Sequence, residues 1–188
     1  MKSFQEKTTP KVTIHMVSSL DGYVAREDGD LAWMETQDSY EDGVELTDEY
    51  ISEFLNSIDC YVMGSTTYEQ AISHGWLYGD KPVFVLTHRA LSSEKESVEF
   101  WNGDLKVLIE GRLKQDFHNI WMVGGPDATK QFLQLGLADE VVVTIIPIIL
   151  GGGLPYFDAI GKEICLHLKD VTAYKEGMVE MIYEVGKS

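Results

Sequence analysis

The chain has 188 residues, 44% hydrophobic and 24% charged, with 31 Asp and Glu against 15 Lys and Arg for a formal charge of −16. That length and balance suit one globular domain over residues 1–188 with a sizeable core. So acidic a surface repels nucleic acid and anionic membranes, which need clustered basic residues, and neither is expected as a partner.

The N-terminal "MKSFQEKTTPK" has no apolar core of the secretory type. The longest apolar run, "VVVTIIPIIL" from Val141 to Leu150, is too short to span a bilayer and contains Pro147. Cys60 and Cys165 are the only cysteines, far apart and in strand-like runs. They read as core thiols in a reducing compartment, not as a disulfide or metal pair, so a cytoplasmic location and no metal are expected.

"KVTIHMVS", Lys11 to Ser18, predicts a first strand, and His15 on it reads as a half-buried structural histidine. Leu20 to Gly43 is rich in Gly and Asp and reads as a long surface excursion with a short turn at Leu31 to Met34; excursions of that length are usually functional or disordered. Thr47 to Ile58 is a helix by the spacing of Ile51, Phe54, Leu55 and Ile58, capped by Thr47, with Asp48 and Glu49 in its first turn. "CYVMG" (Cys60–Gly64) is a buried strand, followed by a helix with a Thr66-x-x-Glu69 capping box and Gly75 at its end. "PVFVLT" (Pro82–Thr87) is another strand, and Leu105 to Leu113 a weaker helix. Ile120 to Val123 is a strand leading through Gly124, Gly125 and Pro126 into a helix with Ala128, Phe132 and Leu135 on one face. Glu140 to Ile149 is the last long strand before a hairpin that turns near Glu176-Gly177. Strands alternating with helices and ending in an antiparallel hairpin give an α/β fold with a mostly parallel sheet.

Ligands of such sheets sit outside the carboxyl ends of the strands, where three junctions matter. Gly64-Ser65-Thr66-Thr67 and Gly124-Gly125-Pro126-Asp127 are strand-to-helix turns with free backbone N–H groups, able to bracket a pyrophosphate between two positive helix ends. Thr87-His88-Arg89 adds the only basic pair near them. No G-x-G-x-x-G follows a strand and no G-x-x-x-x-G-K-[ST] occurs, which excludes an ordinary Rossmann unit and weighs against an ATPase.

The stretches "SSLDGYVA" (Ser18–Ala25), "DCYVMGSTTYE" (Asp59–Glu69), "VFVLTHR" (Val83–Arg89), "IWMVGGPDATKQFLQLGLADEV" (Ile120–Val141) and "IIPIILGGGLPYF" (Ile145–Phe157) resemble the reductase domain of riboflavin biosynthesis within the dihydrofolate reductase-like superfamily. The resemblance implies a three-layer α/β/α fold and NADPH as hydride donor, held by Gly64, Ser65, Thr66, Thr67, Thr87, His88, Arg89, Gly124, Gly125, Pro126, Asp127 and Ala128. The family usually has an arginine where Ser65 stands, beside the cofactor's 2′-phosphate, so either Arg89 and His88 carry that phosphate alone or the preference over NADH is weakened. The family's zinc deaminase half has no counterpart here, since neither H-x-E nor P-C-x-x-C occurs.

For chemistry, Asp21 after the first strand could face substrate or simply form a turn before Gly22. Asp48 stands 15 residues before Met63, about where dihydrofolate reductases place a substrate carboxylate, or it compensates a helix dipole. Trp33 could line a pocket. Gly151-Gly152-Gly153 reads plainly as a flexible turn, and the resemblance makes Gly151 and Gly152 a wall of the substrate site. The expected activity is reduction of a small heterocycle such as 5-amino-6-(5-phosphoribosylamino)uracil. Dihydrofolate is the alternative substrate, and a non-catalytic nucleotide-binding or regulatory protein the alternative of another class. "EVVVTIIPIIL" is apolar on both faces, which with the dimeric state of the family it resembles leads us to expect a homodimer.

Overall fold

In a computed structural model, which describes residues 9–186, Lys11–Ser19 forms β1 with alternating burial, Val12, Ile14, Met16 and Ser18 on one face. The start of the N-terminal segment discussed above lies outside the described residues. The other strands are β2 (Tyr23–Ala25), β3 (Cys60–Gly64), β4 (Val83–Leu86), β5 (Val98–Trp101), β6 (Asn119–Gly124), β7 (Glu140–Ile146), β8 (Leu154–Pro155), β9 (Leu166–Ala173) and β10 (Val179–Val185). Eight of them make one sheet in the order β5-β4-β3-β6-β1-β7-β10-β9, and β2 pairs with β8 in a small second sheet. Neighbours from β5 to β7 run parallel, and β10 and β9 add antiparallel.

The helices are α1 (Asp48–Ser57), α2 (Ser65–His74), α3 (Leu105–Leu108), α4 (Lys114–Asp116) and α5 (Pro126–Leu135), with a π-helical turn at Ile109–Leu113 joining α3 to α4. On one face Leu108, Ile109, Leu113 and Phe132 pack on Val12, Ile14, Val62 and Met122. On the other, Tyr68 of α2 and Phe54 of α1 pack with Tyr61, Met63 and Val85. Phe132 has no exposed surface. Truncating such a side chain to alanine costs about 3–5 kcal/mol in lost transfer energy and a cavity.

The chain departs from its sequence pattern at several points. The N-cap of α2 is Gly64, without a side-chain cap, so Thr66 lies inside the helix and Glu69 turns to Arg89; no capping box forms. β7 stops at Ile146, because Pro147 has no N–H for the ladder. Cys60 is buried but Cys165 is exposed, just before the edge strand β9. In α5 the buried residues are Ala128, Thr129, Phe132 and Leu133, whereas Leu135 is 40% exposed. The short strands β2, β5 and β8 lie where the sequence pattern gives no strand, β2 inside the excursion that starts at Leu20. Helix α1 forms where the pattern puts it, Thr47 accepting from the Tyr50 N–H, yet none of its residues is fully buried. Its apolar side overhangs the sheet and leaves space beneath.

Candidate functional site

β3 and β6 end together while β1 runs on to Ser19, and the helices that follow β3 and β6 start side by side. Met63 pairs with Gly124 across β3 and β6. α2 belongs to one face of the sheet and α5 to the other, so two helix N-termini converge on one gap from opposite faces. Neither start has a side-chain cap. Both glycine caps keep the gap open. A Cβ on Gly64 would point to the Gly124 carbonyl and Gly125 N–H at 3.9 Å, and one on Gly125 would approach Thr67 Oγ1 at 3.6 Å. Gly124 has a separate reason to be glycine: its φ is +135°, and a Cβ would drive into Met16 Sδ. The peptide bond between the two glycines is cis.

Paired positive helix ends with uncommitted N–H groups suit a pyrophosphate. Ser65, Thr66 and Thr67 supply one first turn. Asp127 and Ala128 supply the other, since Pro126 at N1 has no N–H. At the end of β4, Thr87 Oγ1 accepts from the Arg89 N–H at 3.0 Å, and Arg89 Nη2 donates to Glu69 Oε2 at 2.8 Å. His88 is exposed beside it. Arg89, at the end of β4, is therefore shared with an acid of α2.

Asp21 lies where β1 ends, and its carboxylate accepts from Ser19 Oγ at 2.6 Å, the Leu150 N–H at 3.0 Å and the Gly151 N–H at 2.8 Å. The Ser19 hydrogen bond, helped by the two amides, holds it below the usual carboxylate range. An ionised, fully engaged carboxylate is a loop clamp and a poor proton donor. The Gly151-Gly152-Gly153 segment is thus pinned and not a free turn. Gly151 and Gly153 have φ of +75° and +147°, and a Cβ on Gly153 would collide with the Ala25 carbonyl.

Under the overhang of α1, a groove of about 540 Å³ runs along β6, β1, β7 and β10, from Lys11 and Asn119 at the strand starts to Val17 and Thr144. Its lining includes Tyr50, Phe54, Trp121, His15, Thr144 and Glu180. His15 stacks on Trp121 with ring centroids 5.3 Å apart, and Phe54 meets both rings edge-on. Burial pushes the His15 imidazole down to about 4, so it is neutral at ordinary pH. Glu180 accepts from Thr144 Oγ1 at 3.2 Å and from the Tyr174 hydroxyl at 3.3 Å. The Tyr174 phenol is pushed well above its ordinary value, by burial first and then by Tyr50 and Glu180 beside it.

Asp48 and Trp33 do not line this groove. Asp48 is exposed in the first turn of α1, where it complements the helix dipole. Trp33 is buried in a 3₁₀ turn, its Nε1 without a partner. Sequence reasoning missed Tyr50, Phe54, Trp121, Thr144, Tyr174 and Glu180, which come from five separate segments. The period-2 alternation of β7 and β10 puts Thr144 and Glu180 on the face of His15, but only the pairing Thr144↔Glu180 shows that they meet.

The RibD C-terminal domain model matches residues 61–180. The chain belongs to the RibD C-terminal domain family. It is 32% identical over 172 residues to the uncharacterized protein YwjB of Bacillus subtilis (strain 168), covering 89% of this chain and 94% of that one. A solved structure from Shewanella sp. PV-4, assigned to riboflavin biosynthesis, has TM-score 0.81 at 25% identity over 94% of this chain and 99% of its own. A Thermotoga maritima diaminohydroxyphosphoribosylaminopyrimidine deaminase/5-amino-6-(5-phosphoribosylamino)uracil reductase shares the fold, with TM-score 0.65 at 18% identity over 96% of this chain and 58% of its own. The fold is dihydrofolate reductase-like, and membership in the RibD family supports a reductase-like role. Among the described residues no helix is long and apolar enough to cross a membrane.

Proposed function

We propose that this RibD-family chain is an NADPH-dependent reductase of a small planar heterocycle of the aminopyrimidine or pterin kind. The observation that carries the reading is the pair of uncapped helix starts facing across a gap that Gly64 and Gly125 leave open, with an aromatic-walled groove on the α1 and α2 face of the same sheet. The N–H groups of Ser65, Thr66, Thr67, Asp127 and Ala128 would hold the pyrophosphate, with Thr87, His88 and Arg89 towards the adenosine end. NADPH supplies a hydride when bound. The protein contributes orientation and an enclosed surface. Trp121 and Phe54 present ring faces and edges to a planar substrate, Glu180 accepts hydrogen bonds from its edge, and Asp21 fixes the loop that closes the end of β1. The substrate named for the Thermotoga relative supports an aminopyrimidine ring over a pterin. Asp48, exposed on α1, gives the pterin reading no help; Glu180 is the carboxylate in the groove.

The test is a titration with NADPH followed by its absorbance in the presence of candidate heterocycles. NADPH should bind, and Gly125→Ala should weaken binding at least about tenfold while far-UV circular dichroism and the melting temperature stay near the parent's, because the new Cβ fills the gap. Unchanged affinity in a folded variant would remove the site. Binding without consumption for every heterocycle would support a nucleotide-binding regulatory protein instead.

A further inference from the structure

The groove's hydrogen-bond directions can be worked out from the chain Tyr174–Glu180–Thr144–His15. The single Thr144 hydroxyl proton goes to Glu180 Oε2. Thr144 Oγ1 is 3.2 Å from His15 Nε2, so in that contact it accepts and Nε2 carries the imidazole proton, an assignment from the network. His15 Nδ1 is then an unprotonated acceptor, buried without a partner. Tyr174 also gives its proton to the carboxylate. What remains on this wall is acceptor capacity: the unused lone pairs of Glu180, whose side chain is 14% exposed in the groove.

Charge points the same way. Lys11, the one Lys or Arg among the lining residues described, is 2.7 Å from Glu140 at the far end. The segment from Arg26 to Glu49, which delivers Leu46 to the rim, has Arg26 as its only Lys or Arg, among acids that include Asp38, Asp42, Glu45, Asp48 and Glu49. Val44 pairs with Tyr174, which places this acidic segment against the groove's outer wall. An anion entering here meets negative potential and no unpaired cation.

We propose that the groove takes an uncharged or cationic planar heterocycle that presents N–H groups to Glu180, and that it excludes phosphorylated substrates. This deepens the reductase reading and rests on it for the cofactor side. It gives Glu180, on β10, the specificity role that an acid on α1 would otherwise hold, and it parts this chain from a phosphoribosyl substrate.

Three probes test it by isothermal titration of the full chain, with and without NADPH: 2,4-diaminopyrimidine, cytidine and cytidine 5′-phosphate. The diaminopyrimidine should bind, and Glu180→Gln should weaken it about tenfold, the difference between a charge-assisted and a neutral hydrogen bond, while NADPH affinity is unchanged. Cytidine should bind at least about tenfold more tightly than its phosphate, with the gap shrinking in added salt. A phosphate form that binds as well as cytidine overturns the proposal. So does a diaminopyrimidine that fails to bind, or one that binds the isosteric variant equally. The cytidine pair needs no variant to fold. Failure of NADPH to bind the parent would sink the reductase reading alone, since the probe titrations without cofactor stand apart from it.

Discussion

Arg89 Nη2 sits 2.8 Å from Glu69 Oε2, tying the end of β4 to the second turn of α2 at the edge of the cofactor gap. Each partner is about half exposed, so the pair contributes little to stability. Its importance is for recognition. A 2′-phosphate must draw Arg89 from Glu69, and Ser65 offers no second guanidinium. Loss of one arginine–phosphate contact is worth about 1.5–3 kcal/mol, so NADPH should be preferred over NADH only modestly. A measured affinity ratio above about a thousandfold would contradict this. Glu69→Gln, which releases Arg89, should raise the ratio.

Asp21 is expected to act through the loop it clamps. Asp21→Ala removes the acceptor for the Leu150 and Gly151 amides, and both should exchange hydrogen faster in the variant while NADPH affinity stays the same. A variant with parental exchange at both amides would show that the β2–β8 pairing alone holds the loop.

The His15 imidazole predicts a pH dependence of folding. Burial lowers it from 6.5 to about 4 in the folded chain. As pH falls through 6.5 the unfolded chain takes up a proton that the folded chain refuses until about 4. Stability is therefore lost across that window and levels off below it, by about 3 kcal/mol in all. The depressed carboxylates Asp21, Glu69 and Asp158 lose their contribution at lower pH, below the ordinary carboxylate value of 3.8 for the two aspartates. Urea unfolding at about pH 7 and about pH 4.5 should show the loss, and His15→Gln should flatten it. An equally steep fall in the variant would assign the effect elsewhere.

Assembly is expected to be homodimeric, though for a different reason from the one β7 suggests. β7 lies between β1 and β10, so the sheet itself accounts for its apolar character. An uncovered apolar surface lies at the sheet edge: Leu166, Leu168 and Val171 of β9 are 44%, 48% and 52% exposed. Their partners are Val185, Tyr183 and Met181 of β10, with a bulge that keeps all three on one face. An apolar edge of this kind invites pairing. Sedimentation at micromolar concentration should show a dimer, and Leu168→Lys with Val171→Lys should return it to monomer. A parent sedimenting as one species near 21.2 kDa removes the expectation.

Local pattern alone determined the alternation of strands and helices, the Thr47 cap, the two glycine turns and the closing hairpin, because each depends on residues within about one turn or one strand of each other. The family resemblance was legible for the same reason, since its motifs are contiguous. Tertiary structure decided the rest. Thr66 looked like a cap until Gly64 took the position at the end of β3, and Arg89 looked free until α2 brought Glu69 to it. Asp48 had the right spacing for a substrate acid but faces solvent, because rotation of α1 about its axis turns Phe54 to the sheet. Glu180 lies 165 positions after His15, and only the order β1-β7-β10 places Thr144 between them. Sequence spacing carries the helix face and the strand face; which strands become neighbours is set by long-range pairing, and the groove is made of that pairing.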